Sequence, residues 1–302
     1  MRKVRRGKRR GFFWVLVLVA GCLGLAGGVW ASPIPYYWDD SSPWHYAHFH
    51  AYAHVDGYSN GEAKHVFGPS GISQTDDADT AVDAYQDNPP AEAQVSGSYT
   101  HALSPGVTQR WTASSQSRSF LDEGGVSGLS ASGSASTNIY VSANDWASFY
   151  ANPSQSGYFY LDKPLTLRVV EFANYRGFDY GPNYNYANRA SITWNFYLYQ
   201  YEDSDNNGEP DSYVRQIAHV WNQINPQGIS GDGEYSYAYE YFLEPGWYSL
   251  SASLSISGTV YQGDSLSVNA GMHLGAVPLP PAGVLFLPGL LGLAGLKRYL
   301  RT

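Results

Sequence analysis

Three groups of residues in this 302-residue chain have types and spacings that could do chemistry. The first is His48, His50 and His54, which alternate with Ala47, Phe49, Ala51, Ala53 and Val55. On a strand these histidines share one face, about 6.6 Å between neighbours at i, i+2. Two such imidazoles can ligate one Zn, Cu or Ni ion, and Asp56 can add an oxygen. A polar strand face in solvent has the same pattern. The second group is Asp203-Ser204-Asp205-Asn206-Asn207-Gly208-Glu209-Pro210-Asp211. Asp203, Asp205, Asn207 and Asp211 form a hard oxygen set suited to Ca²⁺, and Gly208 sits where such a loop turns sharply. Val214 stands where an EF-hand would place its bidentate Glu. Asp, Asn and Gly are equally the best turn residues, so an acidic hairpin turn fits as well.

The third group is carboxylates and aromatics. Asp162, Glu171, Glu202 and Glu240 lie in or beside strand-like segments, but sequence shows no pair at the separation glycoside hydrolysis needs, about 5–10 Å. Tyrosines cluster at 175–186, 197–201 and 235–241, and seven of the nine tryptophans lie between the two ends of the chain. Aromatics on an exposed strand face can stack on sugar rings while amides and carboxylates bond the hydroxyls. Tyrosines pairing across strands stabilise a sheet by the same token. Nucleophilic catalysis has no candidate: there is no Gly-x-Ser-x-Gly elbow, and the one cysteine, Cys22, lies outside the body.

The elements that must position these residues are strands. Ile192, Trp194, Phe196 and Leu198 alternate with Thr193, Asn195, Tyr197 and Tyr199; Tyr248, Leu250, Ala252, Leu254 and Ile256 alternate with serines. Leu129, Ala131, Gly133 and Ala135 do the same, and further strands are expected near 93–103, 107–120, 157–172, 212–221, 231–243 and 264–274. Asn206-Asn207-Gly208, Gly231-Asp232-Gly233 and Pro245-Gly246 read as turns. One apolar and one Ser/Tyr face per strand predicts an all-β fold, an antiparallel β-sandwich of jelly-roll type. Residues 59–92 break the pattern. With Asp76, Asp77, Asp79, Asp83 and Asp87 before Pro89-Pro90, they read as a long acidic surface loop. The Gly/Ser stretch at 124–136 lacks the Lys-Ser/Thr ending of a phosphate loop and reads as a strand of small residues.

Charge is segregated. Seven basic residues lie within positions 2–10 and three within 297–301, leaving Ser32–Ala276 with eight against all 26 acidic residues, a net of −18. Such a body repels phosphate backbones and argues against a nucleic-acid partner. Its length suffices for one sizeable core. Without cysteine it has neither a disulfide framework nor a Cys-based zinc site.

The ends are addresses. Basic residues 2–10, the apolar run Phe12–Val19 and the small residues ending at Ala31 form a secretory signal, 1–31. A retained membrane anchor is the alternative, and Val19-Ala20-Gly21-Cys22 also fits a lipoprotein box in which Cys22 is acylated. At the other end Val277–Leu296 is 20 residues without a charge, interrupted by Pro288 and followed by Lys297, Arg298 and Arg301. A helix of that length reaches across a bilayer, and the basic residues hold its end in the cytoplasm.

This C-terminal segment resembles the PEP-CTERM sorting domain of Gram-negative bacterial surface proteins. The shared parts are a Pro-containing tripeptide, an apolar helix with a Gly-Leu-Leu-Gly-Leu-Ala-Gly run (289–295), and a short basic tail. Val277-Pro278-Leu279-Pro280 carries the signature, with Pro-Leu-Pro in place of Pro-Glu-Pro. The resemblance covers about 25 residues. It implies passage through the inner membrane, handling by an exosortase, and a link to exopolysaccharide or biofilm matrix at the cell surface. The acidic loop, in turn, looks like the calcium loops of thrombospondin-type repeats, in a single copy.

The organisation expected is therefore a signal peptide (1–31), an N-terminal strand with acidic loop (32–92), a β-sandwich (93–276) and a sorting or transmembrane helix (277–302). The expected function is that of an exported, non-enzymatic surface or matrix protein. The alternative is a carbohydrate-binding sandwich, calcium-stabilised or not, and a polysaccharide-active enzyme comes third.

Overall fold

The computed structural model describes residues 47–59, 64–65, 74–82, 91–121, 127–138, 145–180 and 187–277. The signal segment, Cys22 and the tail from Pro278 onward, with Leu279, Pro280, Lys297, Arg298 and Arg301, lie outside the described residues. Within them the chain is all strand. The order is β1 (Ala47–Ser59), β2 (Lys64–His65), β3 (Gln74–Val82), β4 (Ala91–Ser104), β5 (Val107–Leu121), β6 (Ser127–Thr137) and β7 (Trp146–Ala151). Then come β8 (Ser154–Leu161), β9 (Leu165–Phe178), β10 (Arg189–Glu202), β11 (Ser212–Ile224), β12 (Gly231–Leu243), β13 (Gly246–Val260) and β14 (Ser265–Val277). Among the described residues no helix is long and apolar enough to cross a membrane.

Two antiparallel sheets pack face to face. The first runs β11-β10-β13-β7-β1-β2, with β8 continuing β7 between β13 and β1, and β3 flanking β1. The second runs β12-β9-β14-β6-β5-β4. The β7–β8 break falls at Asn152-Pro153, where the Asn152 amide bonds Tyr52 O and the Leu254 amide bonds Pro153 O. Ile192, Trp194, Phe196 and Leu198 of β10 are buried against Val268, Ala270, Met272 and Leu274 of β14 and their neighbours, as the alternation requires. Trp194 Nε1 donates to Gly271 O at 3.0 Å, tying one sheet to the other.

Toward β1 the core is thin. Ala51, Ala53, Ala147 and Ala151 face Ala113, Ser115 and Ser117. These small residues let the sheets approach until a side chain of one bonds the backbone of the other. Ser115 Oγ donates to Tyr150 O at 2.5 Å, and Ser117 Oγ accepts from the Tyr52 amide at 3.2 Å. Phe149 fills the transition. Its buried ring lies over Gly133 of β6 and Gly258 of β13, both of which lack room for a Cβ.

Five sequence expectations need revision. The acidic 59–92 stretch contains β3, which pairs with β1 from Ala47↔Val82 to Val55↔Gln74 and so satisfies a backbone edge that would otherwise be bare. Likewise β1 is integral to the first sheet, not an appendage before the sandwich. The single strand expected at 157–172 is two: β8 and β9 belong to different sheets, and the chain crosses between them at Asp162-Lys163-Pro164. Proline there removes a ladder donor. Val277 pairs with Thr166 and ends β14, so the sheet claims a residue assigned to the tail. Gly231–Gly233, read as a turn, opens β12.

Candidate functional site

The outer face of β8, β13, β10 and β11 is where the aromatic residues meet. The register sets them in cross-strand rows: Tyr160–Trp247–Tyr201–Tyr213, then Tyr158–Ser249–Tyr199. Next come Ser156–Ser251–Tyr197–His219 and Ser154–Ser253–Asn195–Trp221. Period two turns Asn195, Tyr197 and Tyr199 outward because each alternates with an inward Trp, Phe or Leu of β10, and the cross-strand register then assembles the four rows. Two register shifts in β11, at Leu198/Tyr199 and Gln200/Tyr201, bend this edge strand as bulges do.

Most of these rings lean on one another. Tyr197 stacks on Tyr199 at 6.0 Å and on His219 at 4.3 Å, while Tyr158 meets Tyr201 edge-on at 5.3 Å. Burial pushes the Tyr201 phenol up to about 12, with the neighbouring Tyr158 adding to the shift, so it stays a neutral hydroxyl at physiological pH. Trp221 differs. It is 58% exposed, whereas Trp111, Trp194 and Trp247 are buried. Asn195, opposite it in register, keeps a buried Oδ1 without a hydrogen-bond partner. A flat exposed indole and a row of serines make a surface that can stack on an apolar ring face and bond hydroxyls at its rim.

The other tyrosine clusters lie elsewhere. Tyr235, Tyr239 and Tyr241 on β12 turn inward and pack against the core, Tyr235 stacking on Trp194 at 4.9 Å and Tyr241 on Phe196 at 6.0 Å. Of the third cluster Tyr175 packs against the core and Tyr180 is exposed, and residues 181–186 lie outside the described residues. The four carboxylates are dispersed. Asp162 is exposed at the crossing to β9, Glu202 is exposed at the end of β10, and Glu240 faces outward near Arg168 at 3.9 Å. Glu171 is fully buried between the sheets, where one oxygen accepts from Asn222 Nδ2 at 2.6 Å and Oε1 has no partner. Asn222 also donates to Tyr239 Oη at 2.5 Å. Burial pushes the Glu171 carboxyl up, against the opposing pull of the Asn222 and Tyr235 side chains.

The histidines share the outer face of β1, His48 and His50 with rings 6.4 Å apart and His54 beside Tyr52 at 6.5 Å. In the acidic loop the carboxylates serve the loop itself. Asp203 accepts from the Asn207 and Gly208 amides at 2.9 and 2.8 Å, and Asp205 from the Asn207 amide at 3.2 Å. Asp211 accepts from the amide and hydroxyl of Ser204, and these bonds hold its carboxyl below the usual carboxylate range. Asn206 and Gly208 turn the chain at φ 57° and 91°, the left-handed conformations Asn and Gly tolerate best. Among the described residues no three His, Cys, Asp or Glu converge as a metal site would require.

Trp221, as exposed as Tyr213 on this face, lies at the end of the segment expected at 212–221. Its alternation with Ala218 and Val220 was the available signal that it points away from the core.

No family model matches the chain, and no curated protein matches it. Solved structures with some likeness include the carbohydrate-binding module TmCBM61 in complex with β-1,4-galactotriose, at 12% identity over 55% of this chain and 88% of that one, with a TM-score of 0.20. A second, from a study of carbohydrate-binding modules of the β-sandwich superfamily, has 9% identity over 82% of this chain and 94% of that one, with a TM-score of 0.17. The enzymatically active domain of bacteriophage CBA120 tailspike protein 4 has 10% identity and a TM-score of 0.18, over 61% of this chain and 19% of that one. Likeness at this level says nothing about ligand or activity.

Proposed function

We propose that this protein is an exported, non-enzymatic carbohydrate-binding module that holds extracellular polysaccharide on the outer face of β10 and β11. The observation that carries the reading is Trp221, an exposed indole beside the Asn195 and Ser253 positions, with Tyr213 equally exposed at the far end of the same strand. Exposed rings in a contiguous patch mark a surface with a partner. The surrounding serines and amides suit a partner rich in hydroxyls. The two terminal segments supply delivery: the signal peptide takes the acidic body across the inner membrane, and the PEP-CTERM-like tail hands it to an exosortase. Of the four carboxylates considered for catalysis, Glu171 is buried between the sheets and Glu240 lies beside Arg168 on the other sheet, which favours binding over hydrolysis.

The test is retention of the full chain on exopolysaccharide purified from the producing cells, measured by affinity electrophoresis. Trp221→Ala is expected to weaken binding about tenfold, equivalent to roughly 1.4 kcal/mol, and Trp221→Tyr to restore part of it. Equal retention of wild type and Trp221→Ala would move the site elsewhere. No retention at all would leave a surface or matrix protein without a glycan ligand. Release of reducing ends would replace binding with an enzymatic reading.

A further inference from the structure

The opposite sheet carries a different surface. Part of the outer face of β5, β6 and β14 is lined by hydroxyls and amides, and it forms a groove of about 470 Å³ that includes Ser114, Gln116, Arg118, Ser130, Ser132 and Asn269. This volume lies in the range of small-molecule sites, about 300–1,000 Å³. Cross-strand hydroxyl pairs border it, Thr112 with Ser136 and Ser114 with Ser134, each at 2.9 Å. A hydroxyl both donates and accepts, so such rows can meet ring hydroxyls in either sense.

Two facts separate this groove from a merely solvated sheet face. First, no Asp or Glu lines it, although the body between the chain's ends carries 26 acidic residues against eight basic ones. Second, it contains an arginine that forms no ion pair among the described residues. The arginines of neighbouring β9 are matched: Arg168 lies 3.9 Å from Glu240, and Arg176 lies 3.3 Å from Asp232. Arg118 is not. Glu92 stands opposite it in register, but Glu92 Oε1 accepts from Gln116 Nε2 at 2.8 Å, and among the described residues Arg118 forms no ion pair. Its guanidinium carbon sits 5.0 Å over the Phe120 ring, and its Nε is buried with no hydrogen-bond partner. A donor removed from water and left unbonded is costly, and a bound acceptor would relieve that cost.

We propose that this groove binds an anionic sugar residue, one bearing a carboxylate beside its ring hydroxyls. Arg118 takes the carboxylate, a partner its planar fork matches with two parallel bonds. The serine and amide rows, with Gln116 and Asn269 at hand, take the hydroxyls. The site is separate from the aromatic face and stands or falls independently of it.

The experiment measures binding of the full chain to polygalacturonate, alginate and hyaluronate by isothermal titration, with fully methyl-esterified polygalacturonate as the matched neutral polymer. Binding to at least one acidic polymer is expected, at least tenfold tighter than to the ester, when measured near 0.15 M salt, where the body's own acidic field is screened beyond about 8 Å. Arg118→Ala should lose tenfold or more, and Arg118→Lys should recover only part. Ser132→Leu, which fills the groove and keeps the charge, should lose as much as Arg118→Ala, with an unchanged melting temperature showing that the fold survives. Trp221→Ala should bind the acidic polymer normally, which distinguishes failure here from failure of the aromatic face. Failure to bind all three polymers, equal binding of acid and ester, or indifference to both groove substitutions would overturn the proposal. So would competition by sodium acetate as effective as that by free galacturonate, since the site would then read charge alone.

Discussion

Replacing Glu171 by Gln should stabilise this protein at neutral pH and leave it unchanged in mild acid. Glu171 projects from β9 into the space between the sheets and is fully buried. Asn222 of β11 donates to one oxygen, Tyr235 and Tyr239 of β12 close around it, and the other oxygen has no hydrogen-bond partner. Burial is the largest influence on this carboxyl and raises its pKa from the ordinary value of 4.5. The folded state therefore holds the proton to higher pH than the unfolded chain does. Between 4.5 and the raised native value the folded state binds more protons, so stability falls as pH rises. Below that window the group contributes nothing to pH dependence; above it the full cost of a buried, half-served carboxylate is present. Gln keeps the shape and the acceptor for Asn222, removes the charge, and offers a donor to the tyrosine hydroxyls. A buried polar group left unbonded costs about 1–3 kcal/mol, and more when charged, so Glu171→Gln is expected to gain about that much at pH 7. For a domain of this size that corresponds to roughly 2–10 °C in Tm. Urea unfolding followed by tryptophan fluorescence from pH 4 to 8 measures it, with Trp194 stacked on Tyr235 as a local reporter. The reasoning fails if Glu171→Gln is less stable at pH 7, or if the two proteins lose stability in parallel across the range. The first result would mean that the charge is needed there, and the second that burial does not raise the Glu171 pKa.

Phe149→Ala should cost about 3–5 kcal/mol in urea unfolding, the usual penalty for emptying a buried aromatic site, and Gly133→Ala about 1–3 kcal/mol because its Cβ would meet the same ring. Asp203→Ala removes the acceptors of the Asn207 and Gly208 amides and should cost about 1 kcal/mol. That loss should be the same in millimolar calcium and in chelator; a calcium-dependent Tm in wild type would show that the loop takes the ion instead. Changing Pro278 and Pro280 to Ala should leave membrane insertion equal or better, since Pro costs about 3 kcal/mol in a helix interior. Processing and surface delivery should fail, as read by intact mass and cell-surface fraction, and normal delivery would reduce the tail to a simple anchor.

What could be read from the residues, and what could not, divides at the boundary between one strand and two sheets. Within a strand, alternation decides everything: Ile192, Trp194, Phe196 and Leu198 are buried and their neighbours face outward, and the same holds along β13 and β14. Between strands, alternation is silent. Tyr197, Tyr199 and Tyr201 and Tyr235, Tyr239 and Tyr241 all recur at even spacings, yet the first set lies on the outer face and the second packs against the core, with Tyr237 beside it exposed. What separates them is whether the residues interleaved in the same strand are apolar. β10 interleaves Phe196 and Leu198 with its tyrosines, so those must turn out; β12 offers only Ser236, Ala238 and Glu240 in between, so its tyrosines are the apolar face and must turn in. That comparison could have been made from composition. Other features could not. Glu171 and Asn222 lie 51 positions apart and meet only because β9 and β11 lie toward the same end of facing sheets. The Arg118 groove needs three strands in register, and its signal is an absence of carboxylate that only three-dimensional neighbours can reveal. The serine-rich strands of low sequence contrast are thus the least informative one at a time. Assembled, they form both the thin half of the core, where small size lets Ser115 and Ser117 bond the facing backbone, and the hydroxyl-lined groove on the outside.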